Sequence, residues 1–133
     1  MTVTIIEQLA RYLSAKLSLP FEGGGSAEAA VFFGYMPASP VKAVCVYAND
    51  LRAPGDLDGV RVQVAIRSDT DGAWPLALAV EIMRLLDDQR DLLFTAEGDY
   101  VNRIETERGF EFTGLNDSNT QFYTADFKVY ACG

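Results

Sequence analysis

Histidine is absent from the 133 residues of this chain, which removes the side chain most often used for proton transfer near neutral pH. Its absence also removes the commonest metal ligand and excludes Ser-His-Asp and Cys-His catalytic arrangements within one chain. Cysteine is scarce as well, because Cys45 and Cys132 are the only two, and one pair does not make a disulfide framework. We expect reduced thiols, no metal and no cofactor, with Cys45 as a small buried residue of a strand.

Basic residues and long apolar runs are the other shortages. Eleven Lys and Arg against 19 Asp and Glu give a net charge of −8, which argues against general affinity for phosphate backbones or anionic membranes. No apolar run approaches the roughly 20 residues of a membrane span. The start of the chain has no basic segment followed by an apolar one, so no signal peptide is expected.

The composition is otherwise that of a globular protein, with 49% apolar and 23% charged residues. A chain of 133 residues suits one domain. We therefore predict a single domain over residues 1–133, with enough length to bury a core without covalent cross-links.

The stretch from Gly59 to Gln89 predicts one strand leading into one helix. Residues 60–66 alternate between apolar and mostly polar side chains, the period of a half-buried strand. Turn residues follow at 68–72, and Asp71 is the predicted N-cap. The helix has Pro75 in its first turn and ends by about Gln89, and its apolar arc is wide enough to imply contacts on more than one side.

The remaining pattern predicts four further strands and one further helix. The helix covers 4–17, and the strands cover 29–36, 41–47, 99–107 and 120–131. Leu92, Leu93 and Phe94 are expected to lie under the sheet edge. Runs of strands with few helices between them favour an α+β fold: a mostly antiparallel sheet of about five strands with two helices packed on one face.

Three aromatic residues, Phe32, Phe122 and Tyr130, recur at outward positions of the predicted strands. Exposed aromatics in number indicate a protein interface. The alternative is that loops cover them, and both interpretations stay open.

Acidic residues concentrate in one segment. Residues 81–117 hold ten acidic and four basic side chains, a net −6 of the total −8. The segment is either a solvated surface that resists aggregation or a negative wall that repels an anionic partner. Glu105 and Glu107 alternate on its strand, and we favour a solvated strand face over a catalytic carboxylate pair.

Three stretches carry a resemblance to known proteins. The first is the opening helix with Ile5-Ile6-Glu7-Gln8-Leu9. The second runs from Val60-Arg61-Val62-Gln63-Val64 through Asp69 and Asp71 to Leu85-Leu86-Asp87. The third is a strand through Ile104, then Phe110-Glu111-Phe112-Thr113-Gly114-Leu115-Asn116-Asp117, then an aromatic strand from Phe122 to Tyr130. Together they resemble the phage tail-terminator (tail completion) and minor capsid protein family.

The resemblance implies a non-enzymatic virion assembly protein of a phage or prophage, located in the virion and in the host cytoplasm during assembly. Such proteins form a homo-oligomeric ring, commonly a hexamer, at the head–tail junction, where the ring caps the tail-tube protein and joins the tail to the head connector proteins. A closed ring needs two different complementary patches on each subunit. The candidate interface residues are Arg61, Arg67, Phe122 and Tyr130, and the candidate channel lining, past which DNA moves without specific binding, is Glu105 and Glu107.

Other functions stay open beside this one. A head-closure or minor capsid connector protein cannot be separated from a terminator by residues alone. A small ligand-binding domain or enzyme of unrecognised type is the alternative from a different class. A ring in solution would favour the assembly function, whereas a strict monomer with a deep polar pocket would favour the alternative class.

Overall fold

The computed structural model describes residues 2–22, 28–48, 59–69, 72–94, 100–115 and 120–132. The predicted cap Asp71 and the turn residues Asn116 and Asp117 lie outside them. The described chain forms, in order, α1 (Thr2–Leu17), β1 (Ala29–Phe33), β2 (Lys42–Ala48), β3 (Val60–Ser68), α2 (Ala73–Leu86), β4 (Arg90–Leu93), β5 (Tyr100–Leu115) and β6 (Gln121–Cys132).

The strands form one mixed, curled sheet in the order β1-β2-β3-β6-β5-β4. β1 and β2 run parallel, and the other neighbouring pairs are antiparallel. The α+β class is confirmed in this broad sense. The prediction of about five mostly antiparallel strands is wrong, because the sheet has six strands and mixed directions.

Two short segments explain this correction. Residues 90–93 form the edge strand β4 beside β5, although four residues are too few to show a strand period in the sequence. Residues 34–41 lead from the end of β1 back to the start of β2, which makes that pair parallel. Parallel connections usually take a dozen residues or more, so this short connection favoured the antiparallel prediction.

The core lies on the sheet face that both helices cover, in agreement with the prediction of two helices on one face. α1 packs on β1 and β2, and α2 packs on β3 and β5. Burying these apolar side chains stabilises the fold by roughly 1.5–3 kcal/mol for each large one. The largest fully buried members include Ile5, Leu9, Leu13, Val44, Val62, Ile66, Ile82, Leu86, Ile104 and Phe127.

A bulge near the start of β5 changes which side chains reach the core. Val101 and Ile104 are both fully buried, although an unbroken alternation would place them on opposite faces. The pairing with β6 shifts between Val101 and Arg103, which leaves Asn102 as the extra, exposed residue. The simple alternation read from residues 99–107 is therefore wrong at this point.

The apolar arc of α2 is only partly covered by the sheet. Pro75, Ala79, Ile82 and Leu86 are buried, as a helix packed on one side requires. Leu76 and Val80 are 54% and 55% exposed. The prediction that the wide apolar arc has contacts on more than one side is wrong for the side formed by Leu76 and Val80, which is an apolar ridge exposed to solvent.

Candidate functional site

The sheet face opposite both helices, here called the outer face, carries the residues that the sequence singled out. Strand register places Arg67 beside Phe122. It also places Arg61 beside Lys128, which faces Glu105 on its other side. Across β3, β6 and β5 the outer face is formed by Arg61, Gln63, Arg67, Phe122, Thr124, Asp126, Lys128, Tyr130, Arg103, Glu105 and Arg108.

Arg61 and Glu107, which the sequence assigned to different roles, form an ion pair. The distance from Arg61 Nε to Glu107 Oε1 is 3.2 Å, and the two side chains are 45% and 29% exposed. Glu107 lies where the pairing of β5 with β6 shifts between Thr106 and Arg108. The predicted interface cation and the predicted channel carboxylate therefore belong to one cluster.

The second predicted channel carboxylate, Glu105, also has a cation beside it. Arg103 Nη2 lies 3.4 Å from Glu105 Oε2. Elsewhere in the acidic segment, Glu81 pairs with Arg84 at 3.3 Å. These ion pairs weaken the negative field that the composition of residues 81–117 suggests, and a channel-lining role stays a prediction.

The centre of the outer face is a charge network that sequence reasoning missed. Arg108 donates to Asp126 Oδ2 at 2.8 Å, to Glu111 Oε2 at 2.8 Å and to Thr124 Oγ1 at 3.1 Å. The hydrogen bonds to Asp126 and Glu111 raise the pKa of Arg108. The one sequence signal was the charged Asp126 in a mostly apolar and aromatic strand, but its partner lies on another strand.

Arg67 holds residues 34–41, here called the crossover loop, against the outer face. Its Nε donates to the Val41 carbonyl at 2.9 Å, and its Nη2 donates to the carbonyls of Pro40, at 2.8 Å, and Pro37. Burial lowers the pKa of Arg67. This predicted interface residue thus contacts its own chain, where it fixes the position of a loop.

The crossover loop covers a small second apolar cluster. Phe32, Ala43 and Cys45 are at most 6% exposed, and Met36 packs on them. For Phe32 the interpretation that a loop covers the aromatic is confirmed. Cys45 is a buried thiol, as predicted, and burial raises its pKa to about 11, which keeps it protonated and unreactive.

The other two predicted aromatics, Phe122 and Tyr130, are half-buried. A Cβ placed on Gly59, whose φ is +84°, would lie 3.0 Å from Tyr130 Cδ1. Lys128 Nζ lies 5.7 Å from the centroid of the Tyr130 ring. Both aromatics keep part of their surface on the outer face, so their contact with another subunit stays a prediction.

Seven large apolar side chains of the described residues are exposed, and the four most exposed of them form three groups. Tyr35 in the crossover loop is 72% exposed, the highest value among the large apolar residues of the described chain. Phe112 is 54% exposed and stacks edge-on with Tyr123, with centroids 5.4 Å apart. The third group is the ridge formed by Leu76 and Val80. Sequence reasoning missed Tyr35, because a single tyrosine next to Gly and Pro gives no periodic signal.

The described ranges contain no candidate metal site and no candidate membrane-spanning helix. No group of three or more His, Cys, Asp and Glu side chains there is arranged to hold a metal ion. No helix among the same residues has the length and hydropathy needed to cross a membrane. What distinguishes the described surface is its charge clusters and exposed aromatic and aliphatic side chains.

Comparison with known protein families decides what kind of protein carries these surfaces. A family model described as "Bacteriophage tail terminator protein" matches residues 12–131. The chain belongs to the bacteriophage tail terminator family. This tail terminator is accordingly a structural protein of the phage virion, which agrees with the family that the sequence motifs resemble.

Solved structures share the fold of this tail terminator at low sequence identity. A chain from the virion of a native gene transfer agent (GTA) particle is 16% identical, with a TM-score of 0.60 and 98% of each chain covered. A second solved chain is 19% identical, with a TM-score of 0.50 and 95% and 90% of the two chains covered. No curated protein matches the sequence. At these identities the structural likeness shows the fold alone.

Proposed function

We propose that this tail terminator assembles into a closed ring, most simply a hexamer, at the junction of head and tail. In this position the ring caps the finished tail tube, stops addition of further tube subunits and joins the tail to the head connector. The observation that carries the proposal is the family match over residues 12–131. The virion origin of a chain with the same fold supports it.

The outer face is the first of the two surfaces that a ring requires. Arg61, Phe122 and Tyr130 lie on it with part of their surface accessible, and they are the proposed contacts to a neighbouring subunit. Arg67 contributes to the same surface through the crossover loop, whose carbonyls it binds. The contact is therefore built from side chains and from one positioned loop.

The β5 end of the outer face is the proposed channel lining. Glu105 and Glu107 are there, and the chain as a whole carries −8. Because Arg103 and Arg61 pair with these carboxylates, the wall is only mildly negative, and DNA would pass it without specific binding. Replacing Arg103, which is not among the proposed subunit contacts, with glutamine should leave DNA passage intact and increase the repulsion.

This function needs fitting surfaces and no reacting group. We propose that the protein has no catalytic activity and no cofactor, that residues 1–133 act as one domain, and that it moves from the host cytoplasm into the virion during assembly. No membrane partner is proposed. Ion pairs explain the carboxylates of Glu81, Glu105 and Glu107, and burial explains the thiol of Cys45.

The test is the length of tail tubes assembled from purified tube protein, with and without the tail terminator. We expect a discrete oligomer by light scattering and, on its addition, tubes that stop growing and carry a ring at one end in electron micrographs. Tubes that grow unchanged would contradict the terminator function. If, in addition, the protein bound isolated heads, a head-closure function would replace it.

A further inference from the structure

Tyr35 is exposed in a way that its own chain does not explain. Its side chain is 72% exposed, whereas the neighbouring Met36 packs on the cluster under the crossover loop. Tyrosine supplies a large apolar surface and a hydroxyl at low entropic cost, so it is a frequent anchor at protein interfaces. Tyr35 is thus an exposed side chain, in the loop on the outer-face side of the sheet, of the type that commonly anchors a protein interface.

The loop that carries Tyr35 is fixed before any partner arrives. The Gly34 N–H donates to the Val46 carbonyl at 2.8 Å, which ties one end of the loop to β2. Arg67 holds the other end through the carbonyls of Pro37, Pro40 and Val41. A loop already ordered in this way loses little conformational entropy on binding, and this loss is one of the main costs of association.

The ridge of α2 is the second exposed apolar surface, and it lies on the opposite side of the sheet. Leu76 and Val80 are one helical turn apart, so their side chains stand next to each other along the helix. The exposed Ala77 lies between them in sequence and has only a methyl group. Two branched side chains beside a small one give an exposed apolar surface against which an aromatic ring can pack.

Charge favours contact between these two surfaces in particular. Two copies that each carry −8 repel one another, so association is least unfavourable where carboxylates are missing. Residues 29–48, which include the crossover loop, contain no Asp or Glu and one Lys. Residues 72–80, which include the ridge, contain no charged side chain at all, and α2 then continues with Glu81.

We propose that Tyr35 of one subunit packs against Leu76 and Val80 on α2 of a second copy of this chain. The surfaces are different and lie on opposite faces of the sheet, so each copy uses its loop toward one neighbour and its ridge toward the other. Such a head-to-tail contact repeats around an axis and gives a closed ring when the rotation between neighbours closes. The inference rests on the proposed ring function and names the contact that builds it.

The direct test is a cross-link between two copies. Tyr35→Cys and Leu76→Cys are placed in separate preparations of a Cys132→Ser chain, mixed, and oxidised under mild conditions. A disulfide-linked dimer is expected only in the mixture. Tyr35→Cys mixed with Leu93→Cys, which is 51% exposed on the edge strand β4, is the matched control and should not cross-link.

A second test separates the two halves of the contact. Tyr35→Asp and Val80→Asp should each weaken self-association by about 30-fold or more, the effect of losing an interface anchor. Both positions are exposed, so the urea unfolding transition of each variant should match the wild type at a protein concentration low enough for the wild type to be monomeric. Mixed together, the variants should form a 1:1 dimer and no ring, because only one intact contact is available.

The outcomes distinguish the inference from the proposed function. If both aspartate variants still form the wild-type ring, this contact is wrong and the ring function stands. If the wild-type chain stays monomeric at high concentration and leaves tube length unchanged, both the ring function and this contact fail. A 1:1 dimer together with the specific cross-link supports both.

Discussion

Arg61 of β3 and Glu107 of β5 form an ion pair across β6, which lies between their strands in the sheet. Lys128 on β6 is in register with Arg61 on one side and with Glu105 of β5 on the other. Two cations and two carboxylates thus meet on the outer face from three strands. The two surface roles that the sequence suggested, subunit contact and channel lining, concern neighbouring side chains of one cluster.

The Arg61–Glu107 pair should contribute little to the stability of the subunit. Its members are 45% and 29% exposed, and such pairs are typically worth about 0.2–1 kcal/mol. A double-mutant cycle with Arg61→Ala and Glu107→Ala, measured by urea unfolding at fixed protein concentration, should give a coupling energy in that range. A coupling above about 2 kcal/mol would contradict the assignment as a solvent-screened pair.

Replacing Arg67 should release the crossover loop. Arg67→Met removes the donors to three carbonyls, and we expect a loss of about 2 kcal/mol in the free energy of unfolding. Cys45 should then react with a thiol reagent in the native state, since the loop helps to cover it. Arg84→Met is the matched control, because Arg84 pairs with an exposed glutamate on its own helix and lies far from the crossover loop in the chain. If Arg67→Met left Cys45 as protected as in the wild type, the Arg67 hydrogen bonds would not be what keeps the crossover loop over Cys45.

Gly59 should resist substitution, whereas Gly109 should not. Gly59 has φ of +84°, and a Cβ there would lie 3.0 Å from Tyr130 Cδ1 and 3.1 Å from the Val129 carbonyl oxygen. Gly59→Ala should destabilise the protein by about 1–2 kcal/mol or more. Gly109 has no atom within 4 Å of its Cβ position, and Gly109→Ala should be neutral within about 0.5 kcal/mol. Equal effects of the two substitutions in thermal or urea unfolding would disprove this difference.

Two phenylalanines on adjacent strands should differ strongly in their contribution to stability. Phe127 is fully buried in the core, and Phe127→Ala should cost about 3–5 kcal/mol in the free energy of unfolding. Phe112 is 54% exposed and has Tyr123 as its aromatic partner, so Phe112→Ala should cost about 1 kcal/mol. Urea unfolding monitored by Trp74 fluorescence measures both. A large cost at Phe112 would instead place this side chain inside a packed core.

Stability should fall when the pH is raised above about 9, and Cys45 should account for part of the fall. Burial raises the pKa of Cys45 to about 11, so the unfolded chain releases this proton at lower pH than the folded chain does. Stability is therefore fully present below the unfolded pKa and is lost as the pH rises toward 11. Burial also raises the pKa of Tyr47, which acts in the same direction.

The measurement compares wild type with Cys45→Ala from pH 8 to 11. We expect the wild type to lose about 1–2 kcal/mol more than the variant over this range, since the variant lacks both the thiol and the part of the raised Tyr47 pKa that the thiol causes. Parallel curves would show that the thiol does not titrate differently in the two states.

Local periodicity was enough to predict much of the fold. The alternation of residues 60–66 and of β6 places Val62, Val64 and Phe127 in the core, and the helical spacing after Pro75 predicts α2. Motifs in the same segments indicated the tail terminator family, which the family match confirms. The spacing of apolar side chains is a property of one helix or strand, so the sequence of that segment alone is enough to predict its type and its buried face.

Pairing between distant segments could not be read in this way. The Asn102 bulge, the parallel β1–β2 pair and the ion pair from Arg61 to Glu107 depend on which strands meet and in which register. The sequence by itself determined the apolar and polar faces and the protein family. Only the tertiary structure decided that Arg67 binds the crossover loop and that Tyr35, Leu76 and Val80 stay exposed, because burial is the outcome of packing between elements and no residue type dictates it.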